Sequence, residues 1–357
     1  MTGRGIDQIL PHPGDSQLHE PCMESSVDYV KLAERASGLI SRPAEFSYIW
    51  GDALEIFRTE QPQAKVINLE TTITRSDTHW RSKDVHYKMS PENIGCLTSA
   101  GIDCCALANN HMLDWGIPGL LDTLQALDQA EIKHAGAGRN LQEAQAPAIL
   151  ETGEGGRVIL FSLGSASSGI PAEWSAQTNR PGLHMIETQP DDPVRFLAKE
   201  IGAFKRRGDI VIVSIHWGSN WGYKIPSTEK RLAHRFVDEA GVDIVHGHSS
   251  HHVKGIEVYK GRLILYGCGD FFNDYEGIGG YESFRGDLGL MYFADLDPEA
   301  GRLLALRMIP TQVRRFRLNH ASAVDSQWLE DLLNREGMRF NTRVQRSAES
   351  TLTLSRE

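Results

Sequence analysis

Ile210-Val211-Ile212-Val213-Ser214-Ile215-His216-Trp217-Gly218 is the stretch on which the fold of this chain turns. Six mostly apolar residues predict a buried strand. A polar imidazole directly after them needs a partner. Three other clusters repeat the arrangement. Val66-Ile67 leads into Asn68-Leu69-Glu70, residues 104–108 lead into Asn109-Asn110-His111, and Ile244-Val245 leads into His246-Gly247-His248-Ser249-Ser250-His251-His252. Open α/β sheets gather ligands at the carboxyl ends of their strands. Oxygen and imidazole donors arriving there from separate strands predict a hydrolytic metal site.

Outward from these clusters, strand and helix signals alternate. Helices are predicted near residues 27–36, 91–100, 116–130, 192–207 and 227–240, from apolar residues at helical spacing and from Pro in a first turn. Further short strands are predicted at 157–163, 256–259 and 263–266. From about residue 288 the pattern changes to two strands, 290–296 and 303–309, joined by the hairpin-type turn Asp297-Pro298-Glu299-Ala300-Gly301. The last thirty residues read as one amphipathic helix near 325–336 and a frayed tail. No linker separates two independent domains. The expected division is a main domain over 1–310 and a C-terminal extension over 311–357.

The chain has 357 residues and a formal net charge of −10, which speaks against a broad nucleic-acid footprint. Five scattered cysteines, Cys22, Cys96, Cys104, Cys105 and Cys268, include no CxxC pair, so neither a disulfide framework nor a zinc ribbon is expected. No apolar run is long enough for a transmembrane helix, and the start Met1-Thr2-Gly3-Arg4-Gly5 carries no signal-peptide core. As written, the chain is expected in the cytoplasm.

Each cluster has a plain reading beside the chemical one. Glu70 reads either as a solvated loop carboxylate or as a ligand fixed by Thr71-Thr72. Asn110 and His111 read as turn chemistry, or as a metal-binding amide beside a proton donor whose ring Asp114 holds in one tautomer. His216 reads as a satisfied core histidine or as a ligand. Four histidines within seven residues, including His248 and His251, are hard to explain as packing, and neutral imidazoles in a tight loop suit one or two ions. Trp217, Trp221 and Tyr223 read as a substrate-pocket wall or as strand-end packing. Arg180 reads as a cation for an anionic substrate or as part of a turn. His184 and the remaining histidines take the structural reading.

These blocks, with Tyr259-Lys260-Gly261-Arg262-Leu263-Ile264-Leu265-Tyr266-Gly267-Cys268-Gly269-Asp270-Phe271, resemble the CapA family. That family comprises capsule-synthesis and poly-γ-glutamate-associated proteins of the calcineurin-like metallophosphatase superfamily. The resemblance implies an α/β, four-layer αββα metallophosphatase-like sandwich with metal at the strand ends. It also implies that Asn110, His216 and His248 bind one metal position, that His251 binds the other, that Glu70 bridges them, and that His111 donates the proton. One departure stands out. The family opens on an apolar strand ending in Gly-Asp, whereas this sequence starts at what resembles the segment just after it. The expectation is an absent first strand, an open sheet position and one ion rather than two. If the start is misassigned, an export signal would overturn the cytoplasmic expectation.

The leading expectation is a metal-dependent hydrolase of CapA type holding Mn, Zn or Fe and acting on an anionic polymer, a peptide or a phosphoester. Two alternatives stand beside it. One is a non-enzymatic polymer-handling scaffold with a structural metal. The other is a metal-assisted peptide epimerase. No nucleic-acid partner and no membrane segment are expected.

Overall fold

The computed structural model describes all residues except 22, 154, 189–191 and 357. Cys22 therefore lies outside the described residues. The other four cysteines are free thiols. The chain is mixed α/β. Three sheets carry most of it, with two additional two-stranded pairings.

Sheet one contains β1 (Val66–Asn68), β2 (Cys104–Ala106) and β3 (Lys133–Ala135), all parallel and in that spatial order. Sheet two has six strands: β4 (Ala148–Glu151), β5 (Arg157–Gly164), β6 (Ile210–His216), β7 (Ile244–His248), β8 (Ile256–Tyr259) and β9 (Arg262–Leu265). Their spatial order is β8-β9-β7-β6-β5-β4, with the four middle strands parallel and the two edges antiparallel. Sheet three is antiparallel. It contains β10 (Leu288–Leu296), β11 (Leu303–Arg314), β12 (Arg317–His320), β13 (Thr342–Arg346) and β14 (Leu352–Arg356).

Alternation along β6 explains why sheet two is buried on both faces. Val211, Val213 and Ile215 point into a core with α3 (Pro193–Phe204) and α4 (Ser227–Ala240). Ile212 points the other way, toward the cores shared with sheets one and three. Successive strand residues face opposite sides, so a continuous apolar run serves two layers. Helices thus cover one face of sheet two and the other sheets cover its opposite face. Local signals set the helix ends. Asp192 accepts from Val194 N–H at 3.0 Å with Pro193 in the first turn, and Gly241, at φ 72°, ends α4.

Two expectations change. The C-terminal tail is not frayed: β13 and β14 pair with each other, and β14 pairs with β11. Leu352 is fully buried, and Val344 packs against the helix Ala323–Gly337 (α5) in the same core. Their short alternating pattern is too weak to read without the partner strand. In addition, residue 310 is no boundary in the sheet, because β11 runs through it.

β1 is the outermost strand of sheet one, and β10 is the outermost strand of sheet three. A cleft of about 920 Å³ lies between them, touching Val66 and Ile67 on one wall, Leu290 and Phe293 on the other, and Glu70 at one end. No helix of the described residues is long and apolar enough to cross a membrane.

Candidate metal and proton-transfer centre

Parallel register brings the strand-end clusters together. His216 ends β6 directly beside His248 on β7. Glu70 follows β1 by two residues, and Asn110 and His111 follow β2. His216 Nε2 lies 3.1 Å from Asn110 Oδ1 and 3.9 Å from Glu70 Oε1. His111 Nε2 stands 4.0 Å from the same Glu70 oxygen. Glu70, Asn110, His111 and His216 therefore surround one point.

His248 meets His216 from the other side of the ring. Their Nδ1 atoms are 2.7 Å apart, and His248 Nε2 faces Ser214 Oγ at 2.9 Å. Ser214 Oγ also lies 2.9 Å from His246 Nδ1. His251 Nδ1 pairs with Asp270, at 3.0 Å from Oδ2. The histidine loop is braced against the β6 loop, because Ser249 Oγ donates to Gly218 O and His251 N–H donates to Asn220 O. Ser249 has φ 108°, an unusual conformation for a residue with a side chain.

Donor chemistry and spacing suit a divalent ion held by Glu70, Asn110 and His216. Donors bonded at about 2.0–2.2 Å around a tetrahedral ion stand about 3.4 Å apart, and the two separations from His216 bracket that value. One donor is an Asn amide. Among the described residues no three His, Cys, Asp or Glu side chains form such a group by themselves.

Burial governs the electrostatics. It pushes the His216 imidazole down to about 4, although Glu70 opposes the shift. It also lowers His111 far below the usual histidine range, and the nearby Lys83 ammonium adds to this. Burial would raise the Glu70 carboxyl, but the imidazoles of His216, His111 and His251 hold it below the ordinary value. Burial lifts Asp114 to about 6 against the pull of Lys83. Neutral imidazoles and an ionised carboxylate are the protonation states that metal ligation needs.

Asp114 Oδ2 lies 2.6 Å from His111 Nδ1. Tyr87 stacks on the His111 ring at 3.7 Å, with the Arg4 guanidinium 4.6 Å from the Tyr87 ring. The expected brace on Glu70 is different. Asn68 Nδ2 donates to Glu70 Oε2 at 2.8 Å, whereas Thr72 Oγ1 donates to His111 O and Thr71 Oγ1 has no hydrogen-bond partner among the described residues. The side chains alternate along the extended segment, so Asn68 and Glu70 share a side.

Three of the expected substrate contacts are packing residues. Trp217 is 1% exposed, with its Nε1–H on Tyr266 O. Tyr223 packs against His252 and Phe284. Arg180 donates to the carbonyls of Glu173 and Ser175 and holds its own turn. Trp221 does line a cleft, of about 740 Å³, whose floor includes Asn110, His111 and His251. It stacks on Tyr281 at 4.1 Å.

Several groups escaped sequence reading. Lys83 hydrogen-bonds Asn110 O and reaches Asp114 Oδ1 at 2.5 Å. Asp270 sits inside a quoted motif block, which was its only signal. Arg4 is buried by Asp274, Glu20 and Tyr29, and nothing local marks it.

Comparison with known proteins agrees with the strand-end blocks. The sequence profile of the family described as bacterial capsule synthesis protein PGA_cap matches residues 1–275. A probable polyglutamine synthesis accessory protein of Mycobacterium tuberculosis is 48% identical over 345 residues, covering 96% of this chain and 90% of that protein. The capsule biosynthesis protein CapA of Bacillus anthracis is 32% identical over 192 residues, covering 54% of this chain and 45% of its own length. The PGA biosynthesis protein CapA of Bacillus subtilis is 29% identical over 208 residues, covering 58% and 52%. Matched over well more than half its length, the chain belongs to the bacterial capsule synthesis protein PGA_cap family.

Proposed function

We propose that this chain is a metal-dependent hydrolase of CapA type, acting in capsule or poly-γ-glutamate synthesis or processing. The observation that carries the reading is the meeting of Glu70, Asn110 and His216 beside His111 at the floor of an open cleft. A bound Zn, Mn or Fe ion supplies a Lewis acid and lowers the pKa of a bound water. Glu70, Asn110 and His216 hold one such ion. His248 joins this set only by turning from Ser214, and His251, engaged by Asp270, leaves a second position short of ligands. His111 keeps Nε2 toward the reacting bond and moves the proton to the leaving group. Asp114 holds its other nitrogen. The aromatic wall at Trp221 and Tyr281 orients an anionic polymer, a peptide or a phosphoester. The link to the capsule polymer rests on the names of the relatives.

The same reading takes the layers as an αββα sandwich with one sheet position open between β1 and β10. Two unpaired strand edges flanking an apolar slot support it. A crystal structure in which β1 and β10 pair directly, with no slot between them, would overturn it.

Metal analysis and turnover test the function. Purified protein should hold nearer one ion than two, and His216→Ala should lose it together with hydrolysis of aryl phosphodiesters or γ-glutamyl amides. Full metal occupancy with no turnover of either class would favour the second reading, a polymer-handling accessory protein. The word "accessory" in the name of the mycobacterial relative favours that reading. Polymer affinity that survives His111→Ala would then identify it.

A further inference from the structure

Arg314-Arg315-Phe316-Arg317 closes the hairpin between β11 and β12, with Arg314 paired to Arg317 across a two-residue turn. Both turn residues are left-handed, Arg315 at φ 56° and Phe316 at φ 53°. Turns of this hand ordinarily carry Asn or Gly, because a side chain crowds the backbone there, and a bulky aromatic is rarer still. The surroundings hold the turn in place. Phe316 is fully buried in the core with Tyr29. The Glu276 carboxylate accepts Arg315 N–H at 2.9 Å and Phe316 N–H at 3.2 Å, and Tyr48 Oη donates to Arg315 O at 2.9 Å. Such strain persists where the fold over-determines it, and it concentrates at functional sites. Here its visible result is that, with Phe316 anchored inside, Arg314 and Arg315 both stand exposed on a braced tip.

That tip stands at the mouth of the 740 Å³ cleft, where Arg314 and Glu276 are part of the wall. The other Lys and Arg side chains of the wall are held by carboxylates: Arg4 by Asp274 and Glu20, Lys83 by Asp114, and Arg285 by Asp287 and Asp325. Arg317, next to the tip, is held by Asp52. Among the described residues Arg314 and Arg315 form no ion pair, so their guanidinium groups are open to a ligand. Of the wall's carboxylates, Glu276, Glu282 and Asp287 already accept hydrogen bonds, from the turn, from Gly280 N–H and from Arg285, while Asp84 follows Lys83. We propose that the arginine tip is an entry site for a polymer of oxyanions, carboxylate or phosphate: Arg314 and Arg315 bind neighbouring anionic groups and lead the chain into the cleft. A guanidinium fork matches either oxyanion in bidentate fashion. The net charge of −10 repels such a chain from most of the surface, so a local cationic pair decides where it lands. A braced turn also loses little freedom on binding, which preserves affinity.

The inference rests on the proposed function, in which the cleft takes an anionic polymer, but its test reads binding rather than turnover. Fluorescently labelled poly-γ-glutamate and inorganic polyphosphate are titrated, in separate arms, into the full chain. At least one should bind saturably and more weakly as salt rises, and the tighter arm names the source of the oxyanions. Arg314→Gln combined with Arg315→Asn should weaken that binding about tenfold and flatten its salt dependence. The Tm should hold or rise, because Asn accepts the left-handed conformation that strains Arg315. Lys133→Gln combined with Arg302→Gln removes the same charge from exposed positions outside the cleft wall and should leave affinity within about twofold. Should the arginine variant fold poorly, Arg314→Gln alone, outside the turn, decides, with an expected loss of about threefold. Binding of neither polymer overturns the inference, as does wild-type affinity in the arginine variants or an equal loss in the charge control. Arginine-dependent binding without hydrolysis would remove the proposed function and leave the entry site standing. Hydrolysis without that dependence would remove the entry site alone.

Discussion

At the scale of single residues, a histidine in this chain is defined by what its two ring nitrogens meet. His111 has Asp114 on one nitrogen and the Glu70 side of the cleft on the other. A general acid so placed contributes about 10²–10⁴-fold. His111→Ala should lower kcat by that order for an ester with a poor leaving group, and far less for an aryl ester whose leaving group needs no proton. Equal losses on both substrates, with metal retained, would reduce His111 to a structural residue. His184 is the contrasting case. Burial pushes its imidazole down to about 3, against about 6.5 in an unfolded chain. The folded state therefore binds fewer protons. The stability involved is complete above about pH 6.5 and is lost as pH falls toward 3, about 2 kcal/mol of it by pH 5. His184→Phe, placed against Phe196, should flatten the difference between urea unfolding near pH 7 and near pH 5. An unchanged difference would clear His184 of the effect.

At the scale of elements, strand ends matter more than strand middles. The apolar run Ile244-Val245 ends where the polar cluster begins, but β7 continues through Gly247 to His248. A Cβ on Gly247 would stand 2.5 Å from Leu265 O and 2.9 Å from Tyr266 O, both main-chain atoms that cannot swing aside. The glycine permits close strand approach rather than a turn. Gly247→Ala should therefore move His248 away from His216, lower Tm and weaken metal binding, as calorimetry on both variant and wild type would show. Wild-type affinity in that variant would mean that the β7 end does not position the centre. Deeper in the sheet, Phe236 fills the core between α4 and sheet two. Phe236→Ala should cost about 3–5 kcal/mol by denaturant unfolding, with a loss under about 1 kcal/mol showing that the helix layer repacks.

At the scale of the whole molecule, the C-terminal strands tie the end of the chain to its middle. Thr342 Oγ1 donates to Ile256 O at 2.9 Å, and Val344 N–H donates to Asn334 Oδ1 at 2.7 Å. Deleting residues 341–357 would expose the core contacts of Val344 and Leu352, each worth about 1.5–3 kcal/mol. A clear drop in unfolding midpoint is expected, and an unchanged midpoint would show the tail to be dispensable. The sequence alone determined the buried strand at 210–215 and the polar clusters that follow the strands. Apolar runs such as 210–215 are local, and so is the polar residue that terminates each one. Tertiary structure alone decided which donors face each other. His216 and His248 meet through register, and Asn68 rather than Thr71 holds Glu70. Lys83 reaches Asp114 across 31 positions of sequence. The tail strands, too, are defined only by the partner they pair with. Such contacts depend on distances between segments far apart in the chain, and no spacing along one strand or loop encodes them.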